Sequence, residues 1–378
     1  MSSKKKQLGL VVFSLLLLLI QFIPVKKAQA DVETDPKKFA TLSVPFFTVK
    51  IVPPANQAKG TTINYFDLRV KPGMKQTLEL YVASTAKKSQ TITMTPTNAI
   101  TSAGNILASG VKVPPDPSNI IPFTSFGIRN ATITLKPKEV KTVKISYTMP
   151  ETPFDGIMIG GLFLNTSLTT TSDAGKSKNQ KATLKFLNDY SMAIQVLMTE
   201  TDKLVLSDLK VKTIIPQSYQ TLPAVGVKLQ NPKMQYMDGL SLDATVTRLA
   251  DPNDRHTQKV KDYKFAPTSN FTYMIPWKST EKMEAGKYRL DLKAKAVQSH
   301  LALNEEQQKK QKWNISREFT ITKAQADQIN RKNPKYKTDY TWLFIIIGIL
   351  IVLLIIFLFW LVFTLGRKKT NKNVVTKE

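Results

Sequence analysis

The segment from Asn64 to Val70 holds the residues whose types and spacing are best suited to binding chemistry. If it forms a β-strand, Tyr65, Asp67 and Arg69 project from one face, because side chains alternate along a strand. An aromatic ring, a carboxylate and a guanidinium on one exposed face can hold a sugar by stacking and hydrogen bonds. The same pattern also occurs on ordinary solvated strand faces with cross-strand salt bridges. The segment therefore predicts either a saccharide-binding face or a plain solvated one.

Residues able to do catalytic chemistry are scarce in this chain. It has no cysteine and only two histidines, His256 and His300, which we expect to lie in polar surface loops. There is no Gly-x-Ser-x-Gly nucleophile elbow, and two isolated histidines do not make a zinc site. Carboxylates such as Asp67, Asp155 and Asp189 are available, but a glycosidase needs two of them facing each other across a cleft. We predict a protein that is not an enzyme and uses no cofactor or metal.

Short stretches in which apolar and polar residues alternate must position these side chains, and they are typical of β-strands. Ala131–Leu135 and the stretch from Val143 to Tyr147 flank a Lys-Pro-Lys turn, which predicts a hairpin that ends at Pro150. The polar stretch Asn165–Lys181 predicts a loop. The other predicted strands are Thr77–Val82, Thr91–Thr95, Ile157–Leu164, Leu184–Met198, Leu204–Ile215, Ala224–Gln230, Leu240–Leu249, Phe271–Ile275, Tyr288–Val297 and Trp313–Ile321.

A glycine cluster, Gly156 and Gly160-Gly161, lies in and just before one of these strand patterns. Because no helix start follows it, the cluster does not fit a phosphate-binding loop. It indicates instead that another segment of the chain approaches closely, or that the strand has a bulge.

Strands at this spacing predict an all-β fold with two Ig-like β-sandwich domains in tandem, followed by a single C-terminal transmembrane α-helix. We assign residues 31–200 to the first domain and residues 201–322 to the second. Leu301–Lys312, which is rich in helix formers, predicts a short helix or an ordered loop. The charged segment Lys323–Lys337 lacks an apolar face of useful size. Residues 323–341 therefore predict a stalk, which begins with a helical turn at Ala324–Asn330.

The first thirty residues have the pattern of a secretory signal peptide. Lysines at 4–6 precede an apolar run over residues 8–23, and Ala28 and Ala30 form a small-x-small cleavage site. Cleavage there makes Asp31 the first residue of the exported protein. Two lysines just before the site leave open a second interpretation, in which the segment stays as an N-terminal anchor.

A second apolar run, from Trp342 to Leu365, contains no charge and no proline. A helix of that length spans about 36 Å, enough to cross a hydrocarbon core of about 30 Å. Tyr340, Trp342 and Trp360 lie towards its ends, where aromatic rings favour the membrane–water interface. We therefore predict a single-pass membrane protein with an extracytoplasmic N-terminal region and a basic cytoplasmic tail over residues 366–378.

The formal net charge is +26, and most of it falls in the predicted exported region. A basic outer surface favours anionic partners such as phosphate polymers, acidic glycans or lipid headgroups. No basic run carries interleaved aromatic residues, so we predict no binding of nucleic acid. An exported region of this size without cysteine is typical of a Gram-positive bacterium.

Several short motifs occur in this chain in a recognisable order. They are Phe47-Thr48-Val49, Asn56-Gln57, Tyr65-Phe66-Asp67-Leu68, Val70-Lys71-Pro72-Gly73, Pro153–Gly161, Asn188-Asp189-Tyr190, Phe265-Ala266-Pro267-Thr268-Ser269-Asn270-Phe271, Ala285-Gly286-Lys287-Tyr288, Trp313 and Phe319-Thr320-Ile321. In this order they resemble the WxL-interacting protein family of Gram-positive bacteria, and the likeness covers most of the chain.

The resemblance implies an N-terminal Ig-like domain associated with peptidoglycan and a second Ig-like domain assigned to host or partner binding. It also implies cooperation with WxL proteins, which attach non-covalently to the cell wall. We add Asn56 and Gln57 to Tyr65, Asp67 and Arg69 as candidate ligand-facing residues.

Our first hypothesis is a non-enzymatic, membrane-anchored surface protein that associates with peptidoglycan and with WxL-type surface proteins. The first alternative is an adhesin that binds host extracellular-matrix proteins. The second is a cell-wall-modifying hydrolase, which requires two opposed carboxylates in a cleft.

Overall fold

The computed structural model describes residues 46–58, 64–108, 113–173, 183–278, 281–298, 303–333 and 341–372. Within these ranges the chain forms sixteen strands, three α-helices and one 3₁₀ turn. The predicted cleavage site at Ala28 and Ala30, the interface residue Tyr340 and the second histidine, His300, lie outside the described residues.

The first part of the chain folds into two facing sheets. One sheet has the strand order β1-β3-β7, and these strands are β1 (Phe47–Val52), β3 (Lys75–Ser84) and β7 (Val140–Thr148). The other sheet has the order β2-β9-β8-β4-β5, with β6 also paired to β4. Its strands are β2 (Phe66–Arg69), β4 (Gln90–Ser102), β5 (Asn105–Ala108), β6 (Ala131–Leu135), β8 (Met158–Asp173) and β9 (Thr183–Thr199).

The core of this first sandwich lies between the two sheets. Leu78, Leu80 and Val82 alternate along β3 and are fully buried, and they belong to one cluster with Phe66 and Val196 of the opposite sheet. Alternation along each strand thus places one apolar face inside the sandwich, where its burial provides most of the stabilisation.

The two strands that flank the Lys-Pro-Lys turn do not form the predicted hairpin. β6 pairs with β4 in one sheet, whereas β7 pairs with β3 in the other. Ile133 of β6 and Ile145 of β7 are buried in the same core, so the chain crosses from one sheet to the other at this turn. Alternation shows which face of a strand is buried but not which sheet the strand joins, and the hairpin prediction was wrong for that reason.

β8 and β9 pair along their whole length, out to Asp173 and Thr183. The segment predicted to be a loop, Asn165–Lys181, therefore begins inside a strand. Its threonines are β-branched and favour extended backbone, and Thr166 is buried with its Oγ1 donating to the carbonyl oxygen of Thr91 at 2.9 Å. The polar composition suggested a loop because a strand without an apolar face shows no alternation of apolar and polar residues.

The second part of the chain forms another pair of facing sheets. The three-stranded sheet has the order β10-β11-β14, formed by β10 (Lys210–Tyr219), β11 (Leu222–Asn231) and β14 (Ser269–Pro276). The four-stranded sheet has the order β13-β12-β15-β16, formed by β13 (Asp251–Phe265), β12 (Met237–Arg248), β15 (Gly286–Lys295) and β16 (Lys312–Ile321).

The longest strand of this second sandwich, β13, is missing from the strands predicted above. It lies at a sheet edge, and most of its side chains face solvent. Charged and polar residues therefore dominate it, and the alternation that identifies a half-buried strand is absent.

Two helices accompany the second sandwich. The helix α1 (Glu305–Lys309) confirms the short helix predicted within Leu301–Lys312. The helix α2 (Lys323–Lys332) buries Ala326 and Ile329 against the second core. The prediction that this segment has no apolar face of useful size was wrong, because two apolar side chains one turn apart suffice when the sheet supplies the rest of the contact.

The last described element is the helix α3 (Thr341–Lys372). Its stretch Leu343–Val362 has a mean hydropathy of 3.5, and none of it is buried against the rest of the chain. The length and composition of this stretch are sufficient to cross a membrane. The predicted fold class, two tandem β-sandwiches followed by one apolar C-terminal helix, is confirmed.

Candidate functional site

Strand β2 presents the candidate side chains as predicted. Phe66 and Leu68 are fully buried in the first core, so the alternate positions Tyr65, Asp67 and Arg69 lie on the opposite face. Tyr65 and Asp67 are half-buried there and Arg69 is exposed. β2 is an edge strand, held on its inner side by parallel pairing with β9. The alternating face was therefore predictable from the sequence, whereas its surroundings were not.

Asn56 and Gln57 lie along the outer edge of β2. The amide nitrogen of Asn56 donates to the carbonyl oxygen of Arg69 at 2.8 Å and to Oε1 of Gln76 at 2.9 Å. Gln57 donates to the carbonyl oxygen of Tyr65 and accepts from the backbone N–H of Asp67, both at 3.2 Å. These side-chain amides satisfy backbone hydrogen-bonding groups on the open edge of β2. They fix the backbone of the strand and so position the side chains of Tyr65 and Asp67.

Arg69 contacts the segment that joins the two sandwiches. Its guanidinium pairs with the carboxylate of Asp202 and donates to the carbonyl oxygen of Thr201 at 3.3 Å. A second ion pair lies nearby, with Lys203 Nζ 2.7 Å from Oδ2 of Asp155. The hydrogen bond from Lys203, followed by that from Thr201, holds the pKa of Asp155 below its usual value. Exposed pairs of this kind orient the joining segment but add little stability.

A cleft between the two sandwiches is lined by the predicted face of β2. We call it the inter-sandwich cleft, and it has an outer space of about 460 Å³ and an inner space of about 280 Å³. Tyr65, Leu197 and Tyr236 line both spaces. The outer space is also lined by Asp67, Arg69, Asp202 and Gln235, and the inner space by Asn105, Gln195 and Lys264.

Tyr236 is the main residue of this cleft that sequence reasoning missed. It lies between β11 and β12 of the second sandwich, about 170 positions from Tyr65 along the chain, and no local pattern distinguishes it. Both tyrosines line the boundary between the two spaces. Only the packing of one sandwich on the other brings them together.

Burial controls the protonation of the groups in the inter-sandwich cleft. It raises the pKa of Asp67, with Arg69 opposing, and it raises the pKa of Tyr65, to which Asp67 also contributes. Burial, together with Asp238, Tyr65 and Asp67, raises the pKa of Tyr236 to about 12. Both phenols therefore keep their protons at neutral pH and can donate hydrogen bonds beside a carboxylate acceptor.

The walls of the cleft are fixed by a polar junction between the sandwiches. Asp116, which is buried, accepts hydrogen bonds from Gln230 Nε2 and Asn270 Nδ2, each at 2.6 Å. Thr101 Oγ1 accepts from the backbone N–H of Ala266 at 2.9 Å. Burial alone would raise the pKa of Asp116, but hydrogen bonds from Ser118 and these two amides outweigh it and hold the pKa below its usual value.

An apolar contact and the glycines complete this junction. Ala99 and Ile159 of the first sandwich pack on Ala266 of the second. Gly156 has φ +90°, and a Cβ placed there would lie 2.0 Å from the carbonyl oxygen of Met234; a Cβ at Gly160 would lie 2.2 Å from the Phe123 ring. The predicted close backbone approach is confirmed at Gly156, where the carbonyl oxygen belongs to the other sandwich, whereas Gly160 makes room for a side chain of its own sandwich.

The described histidine is not a surface loop residue, so that prediction was wrong. His256 lies in β13, is buried, and stacks on Trp277 with ring centroids 3.8 Å apart. Its Nε2 is 2.7 Å from Oδ1 of Asp254, and its Nδ1 is 3.3 Å from Oε2 of Glu281. Burial lowers the pKa of His256, although Asp254 and Glu281 oppose this shift, and the ring packs against Trp277 inside the second sandwich.

Of the three carboxylates considered for catalysis, only Asp67 lines the inter-sandwich cleft. Asp155 is bound by Lys203 and Thr201, and Asp189 accepts a hydrogen bond from Ser167 on the β8–β9 hairpin. These three carboxylates therefore do not form the opposed pair that glycosidic bond hydrolysis needs.

Comparison with known proteins agrees with the sequence motifs. Residues 47–166 match the model for WxL Interacting Protein, peptidoglycan binding domain, and residues 181–331 match that for WxL Interacting Protein, host binding domain. The second match includes β9, which pairs with β8 and β2 in the first sandwich. No curated protein matches the chain.

Several solved chaperone structures are similar over most of their length. The YadV chaperone is 12% identical over 65% of this chain and 92% of its own, with a TM-score of 0.23. The Pseudomonas aeruginosa CupB2 chaperone is 13% identical over the same shares, with a TM-score of 0.25. At such TM-scores these likenesses carry no argument about this chain. The two domain models are matched in the order that the sequence motifs predict, and these matches show that the chain belongs to the WxL-interacting protein family.

Proposed function

We propose that this chain is a non-enzymatic, membrane-anchored surface protein that binds peptidoglycan and a WxL-type surface protein. Wall binding is supported by the inter-sandwich cleft, which two tyrosines and a carboxylate line together. It is supported also by the match of the first sandwich to the peptidoglycan binding domain of this family. The positive and negative side chains of the cleft's outer space, which include the Arg69–Asp202 pair, are equal in number, so its aromatic faces and neutral hydrogen-bond donors suit a polar but uncharged ligand.

The chemistry of the cleft fits the glycan strand of peptidoglycan. Amino sugars present apolar C–H faces, hydroxyl groups and acetamido groups, so Tyr65 and Tyr236 can stack on the ring faces. Asp67 accepts from sugar hydroxyls, and Gln195 lines the inner space, with its amide nitrogen 2.8 Å from the carbonyl oxygen of Ile106. The outer space, at about 460 Å³, falls in the range of small-ligand sites, and with the adjoining inner space of about 280 Å³ the cleft suits one or two sugar rings.

The family and the edge strands support the protein-partner part of the proposal. In the described residues β10 is the outer strand of its sheet, and it exposes Ile215 and Tyr219. An unpaired edge with exposed apolar side chains can accept a strand from another protein. We assign this edge to the WxL-type partner. A host matrix protein is the second candidate occupant, because the matched family model of this region is described as host binding.

The apolar helix supports the membrane anchor. Leu343–Val362 exposes large apolar side chains all round, which water does not tolerate over that length. Trp360 is exposed near its C-terminal end, where an indole ring favours the membrane interface. We place the sandwiches outside the cell and the basic tail inside, as a secretory signal and a stop-transfer helix require.

The test is retention of the full chain, in neutral detergent, on purified peptidoglycan stripped of anionic polymers. We expect retention to persist as salt rises from about 0.05 to 0.5 M, because screening removes only loose charge attraction. Tyr65→Ala and Tyr236→Ala should each weaken retention about tenfold, which corresponds to one lost stacking or hydrogen-bonding side chain. Tyr219→Ala, on the exposed edge of β10, is the matched control for wall binding and should leave retention unchanged.

Two results would count against the proposal. Loss of all wild-type retention at moderate salt would mean that the wall signal is charge attraction alone. Release of soluble muropeptides during the incubation would favour the hydrolase instead. For the partner, a cross-link from β10 to a WxL-type protein would support the assignment, whereas a cross-link only to a host matrix protein would favour the adhesin.

A further inference from the structure

A second cleft lies under the second sandwich, between α2 and the segment that leads into β15. Its volume is about 650 Å³, and we call it the basic cleft. Its charged lining consists of four basic and two acidic side chains, which are Arg248, Lys282, Lys323 and Arg331 with Glu284 and Asp327. Four positive and two negative groups give a formal net charge of +2, which favours an anion.

Arg248 is the most constrained cation in the basic cleft. It lies at the end of β12, and its Nη2 donates to the carbonyl oxygen of Ala285 at 3.0 Å. Its Nε is buried and has no hydrogen-bond partner among the described residues. A Cβ at Gly286 would lie 3.3 Å from that Nε, so the guanidinium packs against backbone that carries no side chain. No described carboxylate forms an ion pair with Arg248, so its charge is only partly satisfied.

The two walls of the basic cleft are held at a fixed separation. Asn330 of α2 accepts from the backbone N–H of Met283 at 2.9 Å and donates to the carbonyl oxygen of the same residue at 2.9 Å. Ile329 of the same helix is buried in the second core, and Ala326, which also belongs to that core, lines the floor of the cleft. This double hydrogen bond preforms the cleft, so ligand binding does not have to order it.

The basic cleft is close to the apolar helix along the chain. α2 ends at Lys332 and α3 begins at Thr341. The residues between them can span at most about 30 Å even when fully extended. With the membrane anchoring proposed above, the cleft therefore lies within reach of the outer lipid headgroups.

We propose that the basic cleft binds a phosphodiester, with Arg248 as its principal ligand and Lys323 and Arg331 as supporting charges. A phosphodiester carries one negative charge and two free oxygens, which match two N–H groups of a guanidinium. Because the cleft lies within reach of the lipid headgroups, a phosphodiester is the anionic group that it would meet there. The phosphodiester comes either from an anionic lipid headgroup or from a soluble polyol phosphate, and the experiment separates these sources.

The experiment measures hydrogen–deuterium exchange over residues 282–286 and 323–331 of the full chain. One arm adds soluble glycerophosphoglycerol to the chain in a neutral maltoside detergent, which contains no phosphodiester. The other arm compares nanodiscs of phosphatidylcholine with and without phosphatidylglycerol, in the absence of the soluble probe. We expect both segments to exchange several-fold more slowly when the phosphodiester is bound. Slowing in the first arm supports a site for free phosphodiesters, and slowing only in the second supports the headgroup as the source.

Variants make the test specific. Arg248→Gln should abolish the slowing, whereas Arg317→Gln, which removes an exposed arginine from β16 in the same sandwich, should preserve it. If Arg248→Gln does not fold, the double variant Lys323→Gln/Arg331→Gln decides, because both of its side chains are exposed. No slowing in either arm, or slowing that survives in these variants, overturns the proposal. The soluble arm needs neither peptidoglycan nor a membrane anchor, so its outcome is independent of the proposed function.

Discussion

The inter-sandwich cleft combines two protonated tyrosines and amides with charged side chains of both signs, including Asp67, Asp202, Arg69 and Lys264. The charged lining of the basic cleft is instead mainly positive, with four basic and two acidic side chains. Both lie where one folded element packs on another, and hydrogen bonds between the elements hold the walls of each. We assign an uncharged polar ligand to the first cleft, where aromatic rings lie among charges that offset one another, and an anion to the second, where positive charge is in excess. A protein with a large positive charge therefore need not bind the cell wall through that charge.

The largest effect is expected from a substitution that disrupts the inter-sandwich cleft and leaves the basic cleft intact. Gly156→Val adds a branched side chain where even a Cβ would lie 2.0 Å from the carbonyl oxygen of Met234. We expect a loss of several kcal/mol in unfolding free energy and loss of peptidoglycan retention, because the sandwiches cannot dock. Gly127→Ala is the control, since Gly127 also has positive φ but a Cβ there would meet no atom within 4 Å. Thermal unfolding measures the loss of stability, and the retention assay measures the loss of peptidoglycan binding. Equal effects in Gly156→Val and Gly127→Ala would contradict this role of Gly156.

The second prediction concerns Asp116, which fixes the same junction through charge. Asp116→Ala leaves the amides of Gln230 and Asn270 without their acceptor, at a cost of about 2–3 kcal/mol. Because the pKa of Asp116 is lowered in the folded state, its stabilisation is present above the unfolded pKa of about 4. It is lost as the pH falls through the lowered, folded-state pKa.

Thermal unfolding at neutral pH and at about pH 2 tests this prediction. The wild type should lose stability in acid, whereas Asp116→Ala should lose less over the same interval. The exposed Asp291, whose carboxylate contacts Arg289 and Ser316, provides the control Asp291→Ala. An acid loss in Asp116→Ala as large as in the wild type would show that Asp116 does not stabilise the junction.

Salt should distinguish the ligands of the two clefts. Raising salt from about 0.05 to 0.5 M should weaken phosphodiester binding in the basic cleft about tenfold, because partly exposed charges are screened. Peptidoglycan retention should change less than about twofold, since tyrosine stacking and neutral hydrogen bonds do not depend on screening. Parallel titrations of one preparation measure both. Similar salt dependence at the two sites would contradict the assignment of an uncharged ligand to one cleft and an anion to the other.

The smallest effect is expected at the ion pair beside the inter-sandwich cleft. Arg69 and Asp202 are both exposed, so their coupling should be about 0.5 kcal/mol or less. A double-mutant cycle with Arg69→Gln and Asp202→Asn, read by chemical denaturation, measures this coupling. A coupling above about 1.5 kcal/mol would mean that this pair fixes the cleft as firmly as the buried junction does.

Local patterns predicted much of the fold because a strand that buries one face alternates apolar and polar residues along the sequence. The strand Ala131–Leu135 was predicted with its observed bounds, and the face formed by Tyr65, Asp67 and Arg69 was predicted from alternation alone. β13 and the extension of β8 were missed, since a strand with little apolar surface does not show this alternation. The burial of His256 was missed for a related reason, because Trp277, which covers it, comes from another part of the chain.

By itself the sequence determined the family, the all-β class, the apolar C-terminal helix and the buried faces of the strand segments at 66–70, 131–135 and 143–147. These follow from composition, motif order and the two-residue period, all of which are local. Only the tertiary structure decided that β6 and β7 enter different sheets, that Gly156 meets Met234, and that Tyr65 faces the same cleft as Tyr236. These are contacts between residues distant along the chain. They depend on how the sheets and sandwiches pack, which no window of neighbouring residues encodes.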